Sequence, residues 1–131
     1  MLLSALLEKA EIEYSGKDAN VSRVICDSRE ATEDTLFVCI TGFASDGHAY
    51  AKRAYDLGCR IFAVEKEVDL PADAIVIMQK NTRVTLARLA AAYYDFPAKK
   101  LKIVGITGTK GKTTSALMLA AILNKNGVSA G

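Results

Sequence analysis

The ten residues GITGTKGKTT, at 105–114, hold the most specific chemistry in the chain. Gly105, Gly108 and Gly111 leave backbone N–H groups free to turn inward where a Cβ would clash. Lys112 can reach a terminal phosphate, and the hydroxyl of Thr113 can reach Mg²⁺. A helix starting here would aim about half a positive charge at the same phosphates. The generic phosphate loop, G-x-x-x-x-G-K-[ST], would place its first glycine at Ile106; here the glycines fall at 105 and 108. A bare GKT triplet is a weak signal. A strand before it, spaced glycines within it and a helix after it make the phosphate-binding reading specific. Thr109 and Thr114 can cap or pack as readily as they can touch a nucleotide.

The elements that must position this loop occupy only the last quarter of the chain. Residues 101–107 (LKIVGIT) predict a strand, 108–112 a turn, and 113–126 a helix closed by Gly127. Upstream, an amphipathic face of Leu2, Leu3, Leu6 and Leu7 predicts a helix. Residues 21–26 and 35–40 predict strands on either side of a polar connection. Asp46 offers an N-cap to a helix running through Tyr55, with Gly58 as its stop. Residues 61–64 and 74–78 are apolar runs suited to buried strands. Asn81 can cap a helix carrying Val84, Ala87, Leu89, Ala90 and Tyr94, which ends before Pro97. The chain therefore divides at about residue 97, with α/β character in both parts and no internal repeat.

Composition narrows the class. The 131 residues match one ordinary domain, and half are apolar, enough to bury roughly two thirds of the unfolded surface. A net charge of +2 gives no reason to expect nucleic acid or an acidic membrane as partner. The one basic cluster is Lys99, Lys100, Lys102, Lys110 and Lys112, whose first three members read as a solvated entry to a strand. Cys26, Cys39 and Cys59 are odd in number and lack metal-ligand spacing, so they read as buried thiols of a reducing cytosol. The apolar N-terminus is too short for a membrane span and lacks a basic head or cleavage site.

GITGTKGKTT resembles the ATP loop of the Mur ligases, the amide-forming enzymes of peptidoglycan precursor synthesis, whose glycines fall where this chain has them. A second resemblance lies upstream. CDSRE at 26–30 and DTLFVCITGFASDGHAY at 34–50 are similar to the first domain of the ligases acting third and fourth on the muramyl peptide. RLAAAYYDFP running into KLKIVGITGTKGKTT is most similar to the third-step ligase. The resemblance covers almost the whole chain. It implies a small N-terminal α/β substrate-binding domain at 1–97 that holds the UDP end of the substrate. The first strand–P-loop–helix of an ATP-binding domain would follow at 98–131.

The family's site residues carry over by position. Ser28 would contact the UDP-N-acetylmuramoyl substrate; on its own residues it is equally a turn-forming serine after Asp27. Arg29 could pair a pyrophosphate or be solvated or ion-paired. Phe43, Ala44 and Ser45 would line the uracil pocket through their backbone. The nucleotide loop would comprise Gly108, Thr109, Lys110, Gly111, Lys112, Thr113 and Thr114, with Thr113 also on Mg²⁺. His48 reads as a surface residue of the first helical turn rather than a catalyst.

The resemblance implies cofactors ATP and Mg²⁺ and a bacterial cytoplasmic enzyme that activates a carboxylate as an acyl phosphate. Its acceptor would be UDP-N-acetylmuramoyl-L-alanyl-D-glutamate, and its amine a diamino acid. The later strands, metal-binding acids and amino-acid-holding domain of such a ligase are not in these residues. The expectation is an N-terminal part, inactive alone. Alternatives are a part of the fourth-step ligase, a UDP-sugar-binding module, or an unrelated small P-loop NTPase. The last helix carries Leu117, Met118, Leu119, Ile122 and Leu123, each worth about 1.5–3 kcal/mol when buried. It is expected to pack on a neighbouring molecule or the first domain, or to be poorly ordered.

Overall fold

A computed structural model describes residues 1–43 and 45–131. They form two compact units, Met1–Pro97 and Ala98–Gly131. The first is built on a four-stranded parallel sheet of β1 (Arg23–Ile25), β2 (Thr35–Val38), β3 (Ile61–Val64) and β4 (Ile75–Met78), in that spatial order. Leu36 pairs with Ile61, and Ile61 with Ile75, so side chains stay in phase across the sheet.

The alternation of a strand sorts the apolar residues into two cores. Leu36, Val38, Ile61, Ala63, Ile75 and Ile77 face one side. There they meet Leu3, Leu6 and Leu7 of helix α1 (Leu3–Lys9) and Leu89 and Ala92 of helix α3 (Thr82–Tyr93). Phe37, Cys39, Phe62 and Val64 face the other side, covered by Ala51 and Ala54 of helix α2 (Ala51–Asp56). Phe37 and Phe62 meet edge to face at 6.2 Å between ring centroids. β2 and β3, covered on both sides, are fully buried. β4 is an edge strand. Its Val76 and Met78 are exposed, so the buried strand expected at 74–78 is buried on one face only.

The chain's single histidine is buried, not on the surface. Its imidazole occupies the end of the sheet, with 3% of the side chain exposed. Nε2 accepts the Glu65 N–H at 2.9 Å, which leaves the proton on Nδ1 to donate to Asp46 Oδ1 at 2.6 Å. Asp46 also caps the 3₁₀ turn Gly47–Tyr50 by accepting the His48 N–H, and it pairs with Lys66. Glu65 in turn accepts the N–H of Thr82 at 2.7 Å, in the first turn of α3. The Thr82 hydroxyl donates to the Cys39 carbonyl at 2.7 Å. This network ties the ends of β2 and β3 to the starts of α2 and α3. Gly47 permits it, because a Cβ there would lie 2.6 Å from the Ile40 nitrogen.

Cys39 and Cys59 are buried as expected, and burial pushes the Cys39 thiol up to about 12. Cys26 is exposed, contrary to expectation. β1 ends at Ile25, whose side chain enters the core, and Cys26 lies past the covered part of the strand.

In the second unit, helix α5 (Lys112–Lys125) forms as the spacing predicts, and Gly127 follows it at φ +81°. Residues 101–107 are not a strand. Extended backbone becomes a strand only with a partner for its N–H and C=O groups, and none is present among the described residues. Pro97–Lys100, expected as punctuation, is one helical turn, α4. Helix α5 has no buried residue, and Leu117, Met118 and Ile122 are each more than half exposed.

These contrasts set two expectations. Phe62→Ala should lower stability by about 3–5 kcal/mol in urea unfolding, whereas Leu117→Ala should leave the midpoint of the first unit unmoved. The second concerns acid. Glu65 is held below the usual carboxylate range by the backbone N–H of Thr82, and Asp46 by Lys66 and then His48. A carboxylate lowered in this way stabilises the fold above its unfolded value of about 4, and that stability is lost as pH falls through the folded value. Melting temperature should therefore drop on acidification below about pH 4. Glu65→Gln should be less stable near neutrality and show a shallower acid slope; a slope parallel to wild type would count against the network.

Candidate functional site

In a parallel sheet the carboxyl ends of the strands are where loops leave room for ligands. Here the chain leaves β1 through Cys26 into a 3₁₀ turn, Ser28–Glu30, and leaves β2 through Ile40 toward Ser45 and Gly47. Between these exits lies a cleft of about 500 Å³, within the range of small-molecule sites. It is lined by Cys26, Asp27, Ser28, Arg29, Ser45, Gly47, Tyr50 and Arg53, with Phe37 and Ile40 at its base.

Three of the five residues expected on the UDP-sugar are together in this cleft: Ser28, Arg29 and Ser45. Phe43 is fully exposed and does not line it, and Ala44 lies outside the described residues. Ser28 is buried at the first position of its turn. Asp27 caps that turn, accepting the Arg29 N–H at 2.9 Å. The same carboxylate takes the Arg29 guanidinium side-on, with Nε 2.9 Å from Oδ1 and the terminal nitrogen 2.5 Å from Oδ2. Those bonds hold the Asp27 carboxyl down at about 2. Of the two states the sequence allowed for Arg29, the structure shows the ion-paired one.

Asp27, Tyr50 and Arg53 were not singled out from sequence. A signal for the last two existed, since they stand three residues apart just after the Asp46 cap and such positions share one side of a helical stretch.

The second candidate is the loop before α5. Gly111 is the N-cap residue at φ +76°, a left-handed conformation that favours glycine, and no side chain caps the helix. The first-turn N–H groups, around Lys112, Thr113 and Thr114, have no intrahelical partner. The first helical bond is donated by Ser115 to the Gly111 carbonyl. Gly108 has φ +153°, and Thr109 and Lys110 complete the bend. Lys112 Nζ lies across the loop, donating to the Gly108 carbonyl at 2.7 Å. Open N–H groups beside a lysine fit a phosphate group. Among the described residues no three His, Cys, Asp or Glu side chains cluster as a metal site. Thr113 offers one neutral oxygen, so a Mg²⁺ there would rest mainly on phosphate oxygens. No helix among the described residues is long and apolar enough to cross a membrane.

Residues 20–94 match the profile described as Mur ligase family, catalytic domain, a stretch that includes the DSR and DGH triplets and stops before the glycine-rich loop. The chain is 42% identical to the UDP-N-acetylmuramoyl-L-alanyl-D-glutamate–2,6-diaminopimelate ligase of Clostridium botulinum, covering 100% of this chain and 28% of that protein. It is 43% identical to the ligase of the same name from Bacillus licheniformis, covering 87% and 23%. Among solved structures, it is similar to MurF from Acinetobacter baumannii, with 26% identity and a TM-score of 0.66 over 93% of this chain and 27% of that one. It is also similar to MurF ligase from Thermotoga maritima in complex with ADP, with 27% identity and a TM-score of 0.59 over 79% and 23%. The chain thus spans about a quarter of the length of these relatives. A profile match over more than half of the chain, on a parallel α/β sheet that gathers the DSR and DGH segments around one cleft, places the chain in the Mur ligase family.

Proposed function

We propose that this chain is the part of a third-step Mur ligase that holds the UDP end of UDP-N-acetylmuramoyl-L-alanyl-D-glutamate and supplies the phosphate loop for ATP. The observation that carries the reading is the cleft between β1 and β2, where Ser28 and Arg29 of one turn meet Ser45 of another loop. The identity to diaminopimelate-adding ligases supports the third step, with a diamino acid as the amine. Structural similarity to MurF supports the fourth-step ligase as second reading, at lower sequence identity.

On this reading residues 1–97 bind and orient the nucleotide-sugar, and 98–131 open the ATP-binding domain. ATP bound with Mg²⁺ supplies the phosphoryl group that activates the acceptor carboxylate. Gly108, Thr109, Lys110, Gly111, Lys112, Thr113 and Thr114 surround that phosphate chain. Lys112 exchanges its contact with the Gly108 carbonyl for a phosphate oxygen, and the first-turn N–H groups of α5 take further oxygens. Thr113 presents its hydroxyl to the metal. The enzyme works in the bacterial cytoplasm. The open apolar side of α5 is completed by the remainder of the ATP-binding domain or a neighbouring molecule.

Calorimetry on this chain tests the reading. UDP-N-acetylmuramoyl-L-alanyl-D-glutamate should bind, and ATP should not be turned over. The exposed Cys26 supplies a second readout. At ligand ten times above its Kd, maleimide labelling should slow about tenfold, while the buried Cys39 and Cys59 stay unlabelled. Binding without Cys26 protection would move the site out of the cleft. ATP turnover abolished by Lys112→Ala would favour a free-standing NTPase.

A further inference from the structure

We propose that Arg53 is the diphosphate-binding cation of the cleft and sets its preference for a nucleoside diphosphate over a bare nucleoside, an inference that rests on the cleft being the UDP-sugar site. Only two cationic side chains line the cleft among the described residues, Arg29 and Arg53. Arg29 is already spent on Asp27. The carboxylate engages its Nε and a terminal nitrogen together, and the pair carries no net charge. A diphosphate entering beside that pair meets the Asp27 carboxylate as well as the Arg29 guanidinium. It therefore needs a cation that the protein has not neutralised.

Arg53 meets that need. No carboxylate among the described residues makes an ion pair with it, although its charge reaches the Asp27 carboxylate of the same cleft, whereas Arg23, Arg29 and Arg60 are each paired directly. Its placement is fixed by the helix beneath it. Ala51 and Ala54 are almost fully buried and seat α2 closely on the sheet. That phase leaves Tyr50 and Arg53, three residues apart, on the side that lines the cleft, while Lys52 lines a different depression beside Lys66. The guanidinium has a planar fork of donors that matches two phosphate oxygens at once, which an ammonium cannot do. Arg53 is also exposed, so replacing it removes little packing.

The test is calorimetry with UDP and with uridine as probes, on wild type, Arg53→Ala and Arg53→Lys. For Arg53→Ala, UDP affinity should fall roughly tenfold or more, with uridine affinity unchanged. Arg53→Lys should recover part of the loss, and raised salt should weaken UDP binding less in Arg53→Ala than in wild type. An unchanged melting curve would confirm that the loss is not one of folding. If UDP binds Arg53→Ala as tightly as wild type, with the same protection of Cys26, the Arg53 assignment is wrong and the cleft reading stands. If wild type binds neither probe, the cleft reading falls and takes the assignment with it.

Discussion

A carboxylate and an imidazole at the end of the sheet hold the first unit's site together. Four segments converge there that the sequence separates by up to 43 residues: the end of β2, the DGH turn, the end of β3 and the start of α3. Each contributes a polar group that burial would penalise if left unpaired. The imidazole between Asp46 and the Glu65 N–H answers two such demands at once, and Glu65 answers a third at Thr82. No buried side-chain nitrogen or oxygen among the described residues is left without a partner. Because Gly47 approaches the Ile40 backbone too closely for any Cβ, the turn is locked against β2, and that lock places Tyr50 and Arg53 over the cleft.

The DGH triplet is therefore architectural before it is chemical. Asp46 caps, Gly47 fits and His48 bridges, and the cleft takes its wall from the result. The DSR triplet on the facing wall follows the same pattern. Asp27 caps the turn that presents Ser28 and neutralises Arg29 as it does so. Both walls thus use an aspartate to fix backbone and a neighbouring side chain together. Specific recognition is left to the groups these aspartates do not consume.

Much of this was legible in the sequence. Elements with a strong local signal appear where the pattern put them. Leu3, Leu6 and Leu7 bury as one face, the Asn81 side chain caps α3 by accepting the Val84 N–H, and the 61–64 run is a fully buried strand. What the sequence could not show were outcomes decided by distant partners. A lone histidine after DG looks like a surface residue until Glu65, 17 residues on, brings its N–H to the ring. Cys26 looks like its two buried counterparts until β1 stops one residue before it. The 101–107 segment has strand composition, but composition gives no hydrogen-bonding neighbour, and a strand is a property of the pair.

The glycine-rich loop shows the same principle from the opposite side. Its glycines, lysine and helix are in place within 108–115, with a left-handed glycine at the cap, uncapped N–H groups, a lysine within reach and a helix that begins on register, whereas the strand expected before it does not form. The loop's conformation is encoded locally, in its spaced glycines and the helix that follows them. The helix it opens is not self-sufficient, since apolar side chains such as Leu117, Met118 and Ile122 gain their burial only from a surface outside their own unit. If the loop holds a phosphate as proposed, its affinity should rise when a surface covers α5, because a covered helix is held more firmly with its first-turn N–H groups aimed at the phosphate.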